Sequence, residues 1–572
     1  MDRRTILALV LMAIVFIVTP ILFPSSRPKT PAVDTTAITT PAPAAANTTA
    51  VSATAAPTAA TPPSAQQPAA TAAPTPAAPH QPRVAAESVS VATPRANFTL
   101  LNPGSALASV YVHGFKDLRP GSRDTVRLQQ SPARGPLLRY RLALGRDTIA
   151  LDTVAFTVRQ NGPTTTFAAT NPAITIENQT TNDGFRLAVR GTVTGAPTGS
   201  ALIVDLPSEL RSQEADTVDD LRHLAFGFKR PHRDVVSIAF SKLDSLQTRV
   251  DTGDMTWVSA RNKYWLVAVM TPVGKTAPVF RDVETRGGSY TGKVARVAYA
   301  TTAMPLTNGQ FAFDIYAGPQ TWQELHALGN ELENVNPYAG FLHAVVQPFA
   351  TIVMRVLLWM KASFHLNYGW VLVLFGVVIR LLLWPLNQKA MRTSLQMQRI
   401  QPEVSEVQKR YKNEPEKQRD ALMKLYQEHG MSPLSPLLGC LPMLLPMPIL
   451  FALYFVFQNT IEFRGVSFLW LPDLSLKDPF FITPIVMGAS MFLLSWIGMR
   501  GTPPNPQTQM MSYMMPVLFT VMFLNFASGL NLYYGVQNIA ALPQQWMISR
   551  ERAKAGVPAS TTSARGGGTR KT

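Results

Sequence analysis

The chain has 572 residues, 46% hydrophobic and only 15% charged, with a formal net charge of +17 and one cysteine, Cys440. This composition excludes a wholly water-soluble protein, and the single thiol excludes an internal disulfide, a cysteine-built zinc cluster and a CxxC redox pair. Residues 94 to 335 hold 26 basic against 22 acidic side chains, while 336 to 572 hold 21 against 10, so the positive excess accompanies the apolar runs and suits an inner membrane face better than a DNA-binding domain.

The N-terminus, MDRRTILALVLMAIVFIVTPILF, sets two arginines before 19 apolar or near-apolar residues, about 28 Å of helix and enough to span a bilayer. A cleaved signal peptide is the competing reading, but the apolar stretch is long for one and no A-x-A site follows it. Residues 1 to 24 are therefore expected to be an uncleaved transmembrane anchor that starts inside the cell. Residues 25 to 93 are Ala, Thr and Pro with one charge, Asp34, between Thr30 and Pro82. They cannot build a core and read as a semi-extended tether.

From 94 to 335, runs such as DTIALDTVAFTV, FRLAVRGTVT and ALIVDLP alternate with turn residues, which predicts an external antiparallel β-sandwich domain. No nucleophile, base and orienting group stand at a recognisable spacing, and His113 and His223 read as surface or packing residues. The stretch FLHAVVQPFATIVMRVLLWMKASF is apolar at helical spacing but interrupted by Arg355 and Lys361, a pattern for a helix lying in the interface.

Five spans are expected after it: Tyr368 to Leu386, Leu437 to Phe457, Phe480 to Ile497, Met510 to Phe526 and Ala527 to Leu542. With the anchor they make six, so both termini lie inside. Charge agrees: the loop from Asn387 to Pro433 holds nine Lys or Arg and the chain after Pro543 six, whereas the external loop Gln458 to Pro479 holds only Arg464 and Lys477. The bundle is expected over 336 to 548, and 549 to 572 as a basic internal tail.

Within the internal loop, 387 to 433, Met397, Ile400, Val404, Val407 and Tyr411 form one helical stripe, and Leu422, Leu425, Tyr426 and His429 a second. A helical hairpin follows, either a packed structural element or a basic docking platform. The third span contains Pro442, Pro446 and Pro448, and 17 of the 22 methionines follow residue 350. These are either gap-fillers or a surface that adapts to many partners. No acidic residue falls in a span, no histidine follows His429, and no P-loop, HExxH or GxGxxG occurs, so neither an ion relay nor an enzyme, and no cofactor or metal, is expected.

In VLVLFGVVIRLLLWPL, Arg380 stands about 9 Å from the inner end of the second span. It either snorkels to the headgroups or faces a wet groove, avoiding a central-membrane cost of about 2.5–3.5 kcal/mol. Asn525, Asn531, Gln537 and Asn538 of the last two spans are candidates to line the same groove.

The segments VVIRLLLWPLNQKAMRTSLQMQRIQPEV, GCLPMLLPMPILFALY, RGVSFLWLPDLSLKDPFFITPIVMGASMF and MMSYMMPVLFTVMFLNFASGLNLYYGVQN resemble the YidC/Oxa/Alb membrane protein insertases in their long Gram-negative form, strongly over 340 to 548 and more weakly over 256 to 320. The resemblance implies a six-helix α-helical membrane protein, five of the helices forming the insertase core, with an inserted periplasmic supersandwich. It also implies a place in the inner membrane and a role in inserting and helping to fold membrane proteins, alone or with the Sec translocon. Arg380 is then a groove arginine, Tyr533 and Tyr534 are client-contacting tyrosines, and Met443, Leu444, Met447, Phe451, Met514, Phe519 and Met522 lie on the slide taken by a client helix. Implied partners are nascent membrane proteins, the ribosome and signal-recognition machinery, and lipids, with no DNA. Leu438, Pro446 and Ala527 depart from the family's usual motifs. A secondary transporter or lipid flippase is the alternative, disfavoured because neither internal repeats nor intramembrane carboxylates are present.

Overall fold

Period-two alternation builds the first half of the protein. In a computed structural model the described residues are 87–130, 135–288, 297–336, 343–411, 414–429, 447–500 and 506–554. The expected anchor, most of the tether, the first part of the third span and the tail beyond 554 lie outside them. The strands begin earlier than the expected boundary at 94: Glu87–Ala92 pairs antiparallel with Ala96–Asn102.

All strand pairings within the sheets are antiparallel. A nine-stranded sheet runs in spatial order through Val236–Ala239, Ala225–Lys229, Trp257–Arg261, Trp265–Met270, Gln310–Pro319, Arg186–Val193, Ala173–Thr180, Thr164–Thr170 and Thr157–Asn161. A six-stranded sheet and a four-stranded sheet accompany it. Strands from all three sheets share one core. Phe313 of the nine-stranded sheet meets Tyr140 and Phe280 of the six-stranded sheet edge-on, at 6.1 and 5.9 Å, the geometry aromatic quadrupoles prefer. Ala96–Asn102 and Ala173–Thr180 alternate buried with more exposed residues, whereas Trp257–Arg261 and Trp265–Met270 are buried throughout. Part of that burial comes from outside the sheet: Phe115 of the four-stranded sheet packs edge-on against Trp265 at 5.3 Å, and the Trp257 indole donates to the Asn330 carbonyl at 3.0 Å. Two short helices belong to this region, α1 (Thr217–Arg222) and α2 (Trp322–Leu328).

The second half is helical. Helix α3 (His343–Phe364) buries Val346, Ala350, Met354 and Leu357 and turns Ile352 and Trp359 outward. Its two faces thus both carry apolar side chains, one packed in the bundle and one exposed. Helix α4 (Tyr368–Arg410) is a single 43-residue rod joining the expected second span to the first arm of the hairpin. Its start is capped by the Asn367 side chain, which accepts from the Gly369 N–H at 2.9 Å. Ile400 and Val404 of α4 pack on Leu425 of α5 (Pro415–Glu428), so the two internal stripes meet.

Then follow α6 (Met447–Asn459), α7 (Ile482–Met499), α8 (Pro506–Phe523) and α9 (Ser528–Lys554). Among the described residues, Tyr368–Pro385 and Ile482–Met499 are long and apolar enough to cross a membrane. Gly488 lets α7 and α8 touch, since a Cβ there would lie 1.8 Å from the Thr520 hydroxyl.

Candidate functional site: a polar seam between two helices

One stripe of α4 faces one stripe of α9. Gly376, Arg380 and Trp384 recur every four residues on α4, and Tyr533, Gln537 and Gln544 share a face of α9. The Arg380 guanidinium donates through Nη2 to Gln544 Oε1 at 2.8 Å. The Gln544 amide in turn donates to the Trp384 carbonyl at 3.1 Å. One turn outward, Gln537 Nε2 donates to the Tyr533 hydroxyl at 2.7 Å and to the Gly376 carbonyl at 3.3 Å. Tyr533 is 2% exposed, with its ring 5.7 Å from Phe375 and 5.2 Å from Tyr534.

Arg380 is only partly buried, and its Nε is enclosed with no hydrogen-bond partner among the described residues. No carboxylate pairs with it among those residues. A full positive charge with a spare donor, held by a neutral amide, can attract an arriving anion without first breaking an ion pair.

The other expected groove residues do not join this seam. Asn538 donates to the Met487 carbonyl and to the Ser490 hydroxyl of α7, both at 3.3 Å. Asn531 is buried and donates to the Phe523 carbonyl of α8 at 3.1 Å, its own Oδ1 lacking a partner among the described residues. Asn525 is exposed in the turn between α8 and α9, before the first turn of α9. Arg380's partner lies at Gln544, 16 residues into α9, or about 24 Å away along the axis. Among the described residues the expected groove residues thus make separate contacts, and Gln544, buried to 2%, was not among them. It stands just past Pro543, where the span was expected to have ended. Its spacing of seven from Gln537 is the signal that could have found it.

Of the slide residues, Met443 and Leu444 lie outside the described residues and Met447 opens α6. Phe451, Phe519 and Met522 are partly buried against the bundle core, and Met514 is 41% exposed. Exposed apolar side chains continue along α8 through Met510, Tyr513, Val517 and Val521. Among the described residues no cluster of three or more His, Cys, Asp or Glu could hold a metal ion.

Two family descriptions match the chain: "YidC periplasmic domain" over residues 88–352 and "60Kd inner membrane protein" over residues 359–555. Proteins named "Membrane protein insertase YidC" are similar to it. The one from Anaeromyxobacter dehalogenans is 34% identical over 311 residues, 54% of each chain, and the one from Magnetococcus marinus 35% identical over 305 residues, 53% of this chain and 52% of that one. The chain thus spans about half the length of the curated relatives it matches. The crystal structure described as an active YidC insertase with its first transmembrane domain resolved has a TM-score of 0.31 and 18% identity, covering 80% of this chain and 92% of its own. That of YidC from Thermotoga maritima has a TM-score of 0.27 and 15% identity, covering 80% and 97%.

Proposed function

We propose, on the premise that the chain belongs to the YidC/Oxa family of membrane proteins, that it is a membrane protein insertase and chaperone working without nucleotide hydrolysis. The observation that carries this is the seam itself: a guanidinium and two amides at the meeting of α4 and α9, on a stretch where α4 turns Val378, Leu381 and Leu382 outward. A polar segment that must cross gains hydrogen-bond partners along this seam, while its apolar helix leaves over the exposed face of α8 into lipid.

In this reading six helices span the inner membrane with both termini in the cytoplasm, and the two larger sheets form the layers of a periplasmic supersandwich. Arg380, Gln537, Tyr533 and Tyr534 line the groove. The slide is formed by Met443, Leu444, Met447, Phe451, Met514, Phe519 and Met522. Clients are nascent membrane proteins delivered by the ribosome and signal-recognition machinery, directly or beside the Sec translocon. Depleting the protein from its host and following insertion of single-span and multi-span clients by protease protection tests the proposal. Slower insertion, restored by re-expression, is expected; unchanged insertion of every client with complete depletion refutes it.

A further inference from the structure

The external loop between α6 and α7 is built as a bridge. From the β-sheet side it receives an anchor. Arg464 Nε donates to both carboxylate oxygens of Glu214, at 2.8 and 2.9 Å, and Nη2 donates to the carbonyls of Lys116 and Gln213, at 2.9 and 3.0 Å. The two side chains are 3% and 7% exposed, and the guanidinium lies 5.4 Å from the centre of the Trp265 ring. Next to it, Ile461 is buried in the β-domain core, and Glu462 Oε1 accepts from the Trp322 N–H at 3.3 Å.

From the helical side the same loop is held four times. Ser528 and Gly529, opening α9, donate to the carbonyls of Leu476 and Leu474 at 2.7 and 3.0 Å. Asn367, capping α4, donates to the Ser467 carbonyl at 3.1 Å. Phe468 sits directly over Gly369, where a Cβ would approach its ring to 2.1 Å.

We propose that Arg464 is a positioning residue that docks the β-domain onto the outer ends of α4, α6 and α9 in one fixed orientation. A domain joined to a helical bundle through its chain ends alone samples many orientations. A buried, four-bonded guanidinium is costly to leave unmatched, so the ion pair formed between residues 250 positions apart penalises every other orientation, and the Ile461 and Glu462 contacts act beside it. The proposal does not rest on the insertase reading, because what it fixes is geometry.

The test is the distance between two spin labels in the full chain in lipid nanodiscs, with Cys440→Ser removing the native thiol. One label goes on the exposed Glu177→Cys of the nine-stranded sheet and one on the exposed Lys477→Cys before α7. A single narrow distance is expected with Arg464 present. With Arg464→Ala or Glu214→Ala the narrow distance is lost to a broad distribution, and Arg464→Lys, which keeps the charge but not the fork, recovers part of it. Glu214→Gln preserves shape and supplies the comparison should the alanine variants fail to accumulate. Near-UV circular dichroism of the same samples checks that both halves remain folded. A narrow distance in Arg464→Ala matching that of the unsubstituted protein overturns the proposal, as does a broad distribution in the unsubstituted protein.

Discussion

Replacing Arg380 separates a groove charge from a snorkelling one. In the protein it keeps one charge-assisted bond to Gln544 and one enclosed, unpaired Nε. A client carboxylate coming within about 8 Å of it, at an effective dielectric near 20, gains about 2 kcal/mol, or roughly thirtyfold in occupancy. Arg380→Ala removes that gain and also leaves Gln544 Oε1 buried without its donor, a further cost of about 1–3 kcal/mol that falls on the protein whatever the client. Arg380→Lys keeps the charge and a donor for Gln544 and should retain most activity. The assay uses two clients differing only in whether the translocated tail is acidic or neutral, inserted into vesicles carrying each variant. The acidic client should lose on the order of tenfold or more relative to the neutral one in Arg380→Ala. Equal loss for both clients would refute the electrostatic argument and leave Gln544's unsatisfied oxygen as the cause. No loss for either would leave Arg380 as a residue that merely reaches the headgroups.

Burial raises the Glu462 carboxyl from 4.5 to about 7, and burial followed by the neighbouring Glu214 raises Asp220 from 3.8 to about 7. A raised carboxyl binds protons more tightly folded than unfolded, so this contribution to stability is complete below about pH 4 and lost as pH rises to 7, on the order of 3 kcal/mol for Glu462. Thermal unfolding should therefore show a steeper fall in midpoint between pH 5 and 7 for the native protein than for Glu462→Gln; parallel curves would contradict it. Glu214→Ala should lower the melting midpoint more than removing residues 87 to 335 together, since docked Arg464 then lacks its carboxylate at a cost of about 3–5 kcal/mol that only undocking relieves, whereas the deletion returns Arg464 to water outright. Detergent-extracted melting of the two variants checks this, and a less stable deletion would reverse it. The basic hairpin and tail should bind ribosomes with an affinity that falls steeply with salt, and co-sedimentation unchanged after removing both would exclude them.

The strands and the hairpin were legible because each obeys a period. FRLAVRGTVT gives Arg186–Val193 with alternating burial over its first half, and the stripes at 400/404 and 422/425 meet as spaced. Contacts between distant segments follow no period. Arg464 counted, in the charge balance, only as one of two basic residues in an external loop, yet its side chain is 3% exposed and bonded to a carboxylate 250 residues away. The burial of Trp257–Arg261 and Trp265–Met270 on both faces likewise depends on distant segments, Phe115 and Arg464 on Trp265 and Asn330 on Trp257.

The polar residues of the last span are the instructive case, because their division between two faces could have been read in advance. At about 100° per residue, Tyr533, Gln537 and Gln544 fall within roughly 40° of one another, while Asn531 and Asn538 lie about 160° and 140° from Tyr533 and about 20° from each other. The polar residues of the last span therefore divide into two faces before any neighbour is known, one bonded to α4 and one to α7 and α8. What hid the division was Pro543. Taken as the end of the span, it removed Gln544 from consideration and with it the third member of the face, yet α9 continues through the proline to Lys554. Proline costs a helix one backbone bond and a steric strain, and in a membrane bundle neighbouring groups relieve that cost. Gln544, one residue beyond, is bonded to both Arg380 and the Trp384 carbonyl. The helix that looked finished at Leu542 is held past its break by the residue that also holds the arginine.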